Sequence, residues 1–136
     1  MKRGTGHLPS CVREVAAWTD RWDAFGFHLK DFLHAFERAR REGLPLEPML
    51  APPPRSLARE FAGGEVCDAF LAATADHLSR KSGMPTPAWA LNDDLVLDQP
   101  WFSEPFPAVR MRLLRDTPSA FKDKNLFVFE SALLVA

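Results

Sequence analysis

The stretch WDAFGFHLKDFLHAF, residues 22–36, decides the fold. Its large apolar side chains recur at spacings of three and four, which places them along one stripe of an α-helix. They are Trp22, Phe25, Leu29, Phe32, Leu33 and Phe36. Asp20 can cap the start, three arginines occupy the last turn where positive charge suits the helix dipole, and Gly43 is a natural stop. The pattern therefore predicts a helix over residues 20–42.

Caps and apolar spacing predict further helices on both sides of this one. Ser10 can cap a first helix that runs to about residue 19, and residues 65–82 form the second clear helix. Residues 44–55 contain five prolines, which we take to exclude helix there and which predict a semi-rigid extended connector. Residues 56–62 are predicted to form a short helix that a Gly-Gly pair ends.

The last third of the chain combines one helix with one strand-like stretch. Because proline is favourable in the first turn, Pro105 or Pro107 is expected to start a helix that ends near residue 116. Residues 126–129 are strand-like without a clear partner strand, and Asn125 can take the left-handed conformation that reverses the chain before them. Ser131 is expected to cap a final turn. The helix side chains predicted to face inward are Val109, Leu113 and Leu114.

The composition supports one folded domain. Of the 136 residues, 46% are hydrophobic and 26% charged, which is too apolar for a disordered chain. We therefore predict a single, compact, mainly α domain over residues 1–136. It has a flexible tail at 1–9, a Pro-rich connector at 44–55 and an irregular C-terminal third with at most a short strand.

Charge and cysteine content narrow the class of protein. The 17 Lys and Arg against 18 Asp and Glu give a net charge of −1, whereas nucleic-acid binders usually carry a basic excess. No apolar run is long enough for a transmembrane helix, and the N-terminus does not resemble a secretory signal. Two cysteines without CxxC spacing predict reduced thiols. We expect a cytoplasmic protein without a membrane span, for which nucleic acid is not the favoured partner.

Motifs that would identify an enzyme or a cofactor site are missing. The sequence has no phosphate-binding glycine loop, no GxSxG and no HExxH. One metal-like pattern is HxxDxxH, formed by His28, Asp31 and His34, whose side-chain types bind zinc or iron. On a helix the two histidines lie about 120° apart, so the three side chains do not converge readily. A solvated helix face is the simpler interpretation, and we predict neither a metal nor a cofactor.

Two patterns keep a nucleic-acid hypothesis open. Arg21 and His28 are similar to the Arg and His of HEPN-type helical ribonucleases, where Arg positions phosphate and His assists proton transfer. Near the C-terminus, basic residues are interleaved with aromatic ones, as on surfaces that stack single-stranded bases. The basic residues of this face are Arg110, Arg112, Arg115, Lys122 and Lys124, near Trp101, Phe102 and Phe121. Acidic residues are interspersed there, so a helical ribonuclease or nucleic-acid-binding protein is the alternative function rather than the favoured one.

The aromatic residues are the more informative feature. Eleven Phe and four Trp exceed what a modest core requires. Phe27 lies about 180° from the centre of its helix's apolar row, which directs it toward solvent or a partner. Trp101 and Phe102 lie in an apolar run broken by proline. Because an exposed apolar patch predicts an interface, these three are the interface candidates, for a protein partner or a second copy of this chain.

Three blocks of the C-terminal half resemble a recurrent bacterial segment: LDQPWF at 97–102, VRMRLL at 109–114 and TPSAFKDKNLFV at 117–128. With the aromatic helix at 22–36, they are similar to small bacterial proteins that look like companions of nucleotidyltransferase-like proteins in toxin–antitoxin-type gene pairs. The resemblance carries no catalytic residue over. It implies a partner-binding, regulatory or antitoxin-like role, so we expect a non-enzymatic cytoplasmic protein that acts by protein–protein interaction.

Overall fold

The structure, a computed structural model, describes residues 9–129. It is 58% helical, which confirms the mainly α prediction. The predicted tail at 1–9, apart from Pro9, and the turn at Ser131 lie outside the described residues. The elements of the described part are α1 (Val12–Trp18), α2 (Trp22–Arg41), α3 (Glu47–Leu50), α4 (Gly64–Lys81), 3-10 turns at Ala88–Leu91 and Asp93–Leu95, β1 (Trp101–Phe102), α5 (Pro107–Asp116), α6 (Ser119–Lys122) and β2 (Leu126–Phe127).

The described residues divide into two compact units, residues 9–67 and residues 68–129. Unit 1 contains α1 to α3 and the first turn of α4, and unit 2 contains the rest of α4, both strands and the last two helices. The single-domain expectation stays a prediction. No helix within residues 9–129 has the length and apolar character needed to cross a membrane.

Helix α2 is the main element of unit 1, and the sequence predicted its ends within two residues. Its apolar row is buried as expected, except for Trp22, which is exposed. The reason is position, because Trp22 is the first helical residue and its ring lies against Gly63. A Cβ on Gly63 would come within 2.7 Å of that ring, and the φ of +89° at this residue also favours glycine. Helix α1 packs against α2.

The start of α1 differs from the prediction. Cys11, rather than Ser10, is the N-cap residue, and it makes no side-chain cap hydrogen bond. Instead the backbone N–H and the hydroxyl of Ser10 donate to the carboxylate of Glu14, at 2.6 and 3.0 Å. A glutamate in the first turn therefore reaches back to the entering chain, as in one half of a capping box.

The Pro-rich connector is more structured than predicted. It contains the single helical turn α3, with Pro48 in the first turn where its missing N–H is tolerated. Arg55 then ties the connector to the end of α1, because its guanidinium donates to the carbonyls of Ala16 and Thr19, at 3.1 and 3.0 Å. The short helix predicted at 56–62 is wrong, since the chain there forms a turn and Gly64 already starts α4.

Two short strands pair in unit 2. Strand β1 runs parallel to β2, with Trp101 opposite Leu126 and Phe102 opposite Phe127. The sequence predicted the second strand but not its partner, because a two-residue strand directly after Pro100 has no readable period. Asn125 has a φ of 67°, as expected.

Helix α5 begins at Pro107, one of the two predicted starts, and ends at Asp116. Leu113 is fully buried as predicted, but Leu114 is exposed, so the prediction that it faces inward is wrong. Adjacent helical residues point about 100° apart, and here the rest of unit 2 covers the Leu113 side of α5 and leaves Leu114 in solvent. Pro118 then precedes α6, which places Phe121 in the core.

Candidate functional site

Phe27 is exposed on α2, as its position opposite the buried row predicts. The side chain is 64% accessible to solvent, which is unusual for so large an apolar residue. Its ring centroid lies 6.2 Å from that of His28. Unit 1 therefore presents Phe27 at the surface of its longest helix, where it is more exposed than Trp22 at the start of that helix.

Trp101 and Phe102 are only half-buried, and their strand explains why. Phe102 stacks on Phe127 of the paired strand, with ring centroids 4.9 Å apart and planes inclined by 20°. The guanidinium of Arg110 covers Phe102 at 4.8 Å. Phe102 thus has neighbours in its own unit and offers less free surface than Phe27.

A second exposed apolar set lies on α5, and sequence analysis missed it. Met111 and Leu114 are 69% and 48% exposed, whereas Leu113 is fully buried. Phe106, the N-cap residue of α5, is 64% exposed. Pro107 is also exposed, and it lies one turn before Met111 on the same side of the helix. We call Pro107, Met111 and Leu114 the α5 seam.

Two of the candidate nucleic-acid arginines pack on aromatic rings. Besides covering Phe102, Arg110 donates from Nε to the carbonyl of Glu104, at 3.1 Å. Arg112 lies over the ring of Phe129, with its Cζ 5.2 Å from the centroid. These contacts fix both guanidinium groups beside α5 while leaving the residues exposed.

Arg115 forms an ion pair with the neighbouring Asp116. Its Nε and Nη2 donate to the two carboxylate oxygens, at 2.7 and 3.1 Å. The hydrogen bond from Arg115 lowers the pKa of Asp116, and the same bond raises the pKa of Arg115. Both side chains are at the surface, where such a pair contributes little to stability. Helix α5 therefore carries three arginines on different sides, and one of them is paired with a carboxylate.

The residues of the ribonuclease hypothesis lie in different surroundings. Arg21 is the exposed N-cap residue of α2, and its Nη1 lies 3.3 Å from the carboxylate of Asp20. His28 is buried, with its ring edge-on to Trp18 at 6.1 Å between centroids. Six residues lie between the two, and their seven steps along the helix correspond to about 10 Å of axis. Their joint action on one phosphate stays a prediction.

The HxxDxxH pattern does not converge. His28 is buried, whereas Asp31 and His34 are half-buried on the following turns of α2. Within residues 9–129, no group of three His, Cys, Asp or Glu side chains is arranged to hold a metal ion. The interpretation of this pattern as a solvated helix face is also wrong for Asp31 and His34, because both are half-buried.

A charged network in unit 2 centres on a buried carboxylate, and sequence analysis missed it. Asp76 of α4 accepts two hydrogen bonds from the guanidinium of Arg80, at 3.0 and 2.8 Å, and one from the hydroxyl of Thr86, at 2.7 Å. Arg80 also reaches the carboxylate of Asp123, at 3.2 Å. The hydrogen bond to Asp76 raises the pKa of Arg80. The network ties the segment after α6 to the end of α4.

Lys124 is the most unusual residue near this network. It is only 4% exposed, although lysines are almost never buried to this degree. Burial lowers the pKa of its amine, because the charged form loses hydration. The carboxylates of Asp76, Asp123 and Asp93 oppose that shift, and the charge of Arg80 adds to it.

Part of this network had a signal in the sequence. Asp76 and Arg80 are four residues apart on a predicted helix, the spacing at which an acidic and a basic residue meet. The positions of Asp123 and Lys124 near this pair had no signal in the sequence, because they depend on how the segment after α6 folds back. The network fits a structural role, since its members satisfy one another.

Comparison of the chain with protein-family models, with curated proteins and with solved structures gives no match. The function of the chain is therefore inferred from the chemistry of its own surface.

Proposed function

We propose that this chain is a non-enzymatic cytoplasmic protein that acts by binding a partner protein, in a regulatory, antitoxin-like role. The observation that carries the proposal is the exposure of large apolar side chains in both units, Phe27 in unit 1 and Phe106 with Met111 in unit 2. Each leaves apolar surface in water that a partner would cover, worth about 25 cal/mol per Å² removed from solvent.

The positions of the apolar and titratable side chains support a role in binding more than a role in catalysis. An acid–base site needs titratable side chains within hydrogen-bond reach of one reacting group. In the described part of the chain, His28 of α2 is buried and the charged network of unit 2 is occupied by its own members. The apolar residues, in contrast, are at the surface, where aromatic and Met side chains are typical of interfaces.

The nucleic-acid alternative has less support. Arg110 and Arg112 lie over aromatic rings of their own unit, and Arg115 is paired with Asp116. Base stacking requires exposed aromatic faces, and Phe102 is already stacked on Phe127 and covered by Arg110. The net charge of −1 gives no general attraction to phosphate.

The test is affinity capture of the tagged full-length chain from its own host at native expression, followed by mass spectrometry and a nucleic-acid assay of the eluate. We expect a stoichiometric partner protein, retained by Lys30→Ser and lost or reduced by Phe27→Ser or Phe106→Ser. Lys30 is the matched control, because it is exposed on the same helix as Phe27. Recovery of the chain alone, or of RNA whose cleavage requires Arg21 and His28, would overturn the proposal.

A further inference from the structure

The α5 seam has the spacing of a helix–helix contact. Pro107, Met111 and Leu114 follow one another at intervals of four and three residues, the d-a-d spacing of a heptad. At about 100° per residue, their directions span only about 60°. Leu113 points about 160° away from Met111 and is fully buried. The helix is therefore held in unit 2 by one side and presents a narrow apolar row on the other.

Arginines flank this row on both sides. Arg110 precedes Met111 and lies about 40° from Leu114, at the g position of the same heptad. Arg115 lies about 40° from Met111 on the other side, at the e position. Both are exposed. In coiled-coil contacts, residues at e and g pair with charges on the partner helix and select which partner binds.

The charge pattern argues against a second copy on this surface. Two α5 helices facing each other along their seams would bring e and g arginines together, and like charges across an interface cost several kcal/mol. The same pattern favours a partner with acidic residues at the corresponding positions. Asp116 lies about 140° from Met111, but its carboxylate accepts from the Arg115 guanidinium at 2.7 and 3.1 Å, so a partner carboxylate at the e position has to share that pair. Arg110 at the g position bonds a neutral backbone carbonyl, and its charge is the stronger of the two selectors for an acidic partner.

The width of the apolar row argues for a helix rather than a lipid surface. A helix that lies in a membrane interface inserts a broad apolar face. The α5 seam is a strip one residue wide per turn. The opposite side of the helix carries Leu113, which is buried in the core. A strict a/d strip is the geometry of a helix–helix contact.

From this geometry we propose that the α5 seam binds an amphipathic helix of a partner protein with apolar a and d residues flanked by glutamate or aspartate. Phe106 extends the contact at the N-terminal end of the seam. The inference depends on the proposed function, because it assigns the surface and the chemistry of the partner. It also assigns Arg110 and Arg115 as the residues that select for acidic flanks.

The test uses two synthetic three-heptad peptides that differ only in charge. Both carry Leu at a and d and Gln at b, c and f, and one has Glu and the other Lys at e and g. Like charges at e and g keep each peptide from pairing with itself. Binding of fluorescent peptide to the full-length chain is followed by anisotropy at low and high salt. We expect the acidic peptide to bind at least about tenfold more tightly, with the difference reduced by salt.

Variants locate the binding. Met111→Ser with Leu114→Ser is expected to abolish binding of the acidic peptide, and Arg110→Glu with Arg115→Glu to reverse the preference. Phe27→Ser is the matched control, because Phe27 is as exposed as Phe106 but belongs to the other unit. Circular dichroism checks that each variant folds. If the arginine variant does not fold, the comparison of the two peptides on the native chain decides by itself.

Several results would overturn the inference. These are equal binding of both peptides, no binding of either, binding to phosphatidylserine vesicles with none to the acidic peptide, and a dimer that Met111→Ser with Leu114→Ser disrupts. The capture experiment then separates the two proposals. If this variant still captures the partner, the surface is wrong and the proposed function stands. If the native chain captures no protein, the proposed function fails as well.

Discussion

At the residue scale, two glycines that both lie in helices have opposite roles. Gly26 lies within α2 with no heavy atom within 4 Å of an added Cβ, so it is a tolerated defect rather than a close contact. A Cβ on Gly64 would overlap the carbonyl oxygen of Leu57 and stand 2.5 Å from its carbon. We predict that Gly26→Ala stabilises the protein by about 0.5–1 kcal/mol. Gly64→Ala should destabilise it by about 1–3 kcal/mol, since backbone must move.

Urea unfolding of the two variants measures both effects against the native chain. The pair is informative because the substitution is the same and both glycines lie in helices. A loss of stability in Gly26→Ala would mean that α2 is packed more tightly at this point than the structure has it. An unchanged Gly64→Ala would mean that the chain before α4 does not approach it as described.

Lys124 predicts a specific pH dependence of stability. Burial lowers the pKa of its amine in the folded state below the ordinary value of 10.5, against the opposing charges of Asp76, Asp123 and Asp93. As the pH rises through the folded pKa toward 10.5, the native state loses the proton first and the unfolded state binds more. The free energy of unfolding should therefore rise with pH in that window, by at most about 1.4 kcal/mol per pH unit.

The measurement is urea unfolding across the alkaline range for the native chain and Lys124→Met. Methionine keeps much of the side-chain length without the charge, so the variant should lack this rise. Other groups that titrate in the same range, including the two thiols, are common to both proteins and cancel in the difference. A difference curve that is flat, or that falls with pH, would contradict the depressed pKa.

At the element scale, α5 shows what a sequence pattern resolves and what it leaves open. The position of Pro107 and the end near Asp116 followed from local chemistry, because proline fits the first helical turn. The side of α5 that faces the core did not follow from local chemistry, because the neighbouring residues Leu113 and Leu114 lie in two rows that are equally apolar. Leu113 is buried and Leu114 is exposed. Only tertiary packing decides between such rows.

The two leucines give a direct test of this assignment. Leu113→Ala should cost about 2–5 kcal/mol, because it removes a fully buried side chain and leaves a cavity. Leu114→Ala should change stability by no more than about 0.5 kcal/mol, as an exposed helix position tolerates alanine. Thermal and urea unfolding of both variants measure the difference. Equal costs would show that α5 is rotated relative to the orientation described, and the seam would then lie elsewhere.

Elements set by long-range contacts were beyond prediction from the sequence. The partner of β2 is a two-residue strand that no periodicity can reveal, and it forms because residues 101–102 and 126–127 meet in parallel. The buried Asp76 was visible only as one half of an i, i+4 pair with Arg80. The further ion pair of Arg80 with Asp123 joins residues far apart in the sequence. Local signals cannot encode such pairings, which depend on chain return.

At the scale of the whole molecule, the helical spacing of apolar residues and the lack of a second clear strand predicted the mainly α class but not the division into two units. The exposed position of Phe27 followed from one helix considered alone. The α5 seam could not be predicted from its helix alone, because its exposure depends on which side of α5 the rest of unit 2 occupies. Sequence analysis could therefore identify candidate surfaces on an element with one clear apolar row, and it failed where an element had two.

The two free thiols test the folding of the molecule as a whole. Cys11 is half-buried and Cys67 is buried in α4, a helix that runs continuously from unit 1 into unit 2. Modification of Cys67 should require α4 to open. In the Cys11→Ser variant, Cys67 should therefore react with a thiol reagent more slowly than Cys11 does in the Cys67→Ala variant, by on the order of a thousandfold. The rate should rise with urea in parallel with the loss of helical circular dichroism. Cys67→Ala, which keeps only Cys11, is the control and should react readily in the native state. Rapid, urea-independent labelling of Cys67 would show that α4 opens locally without global unfolding.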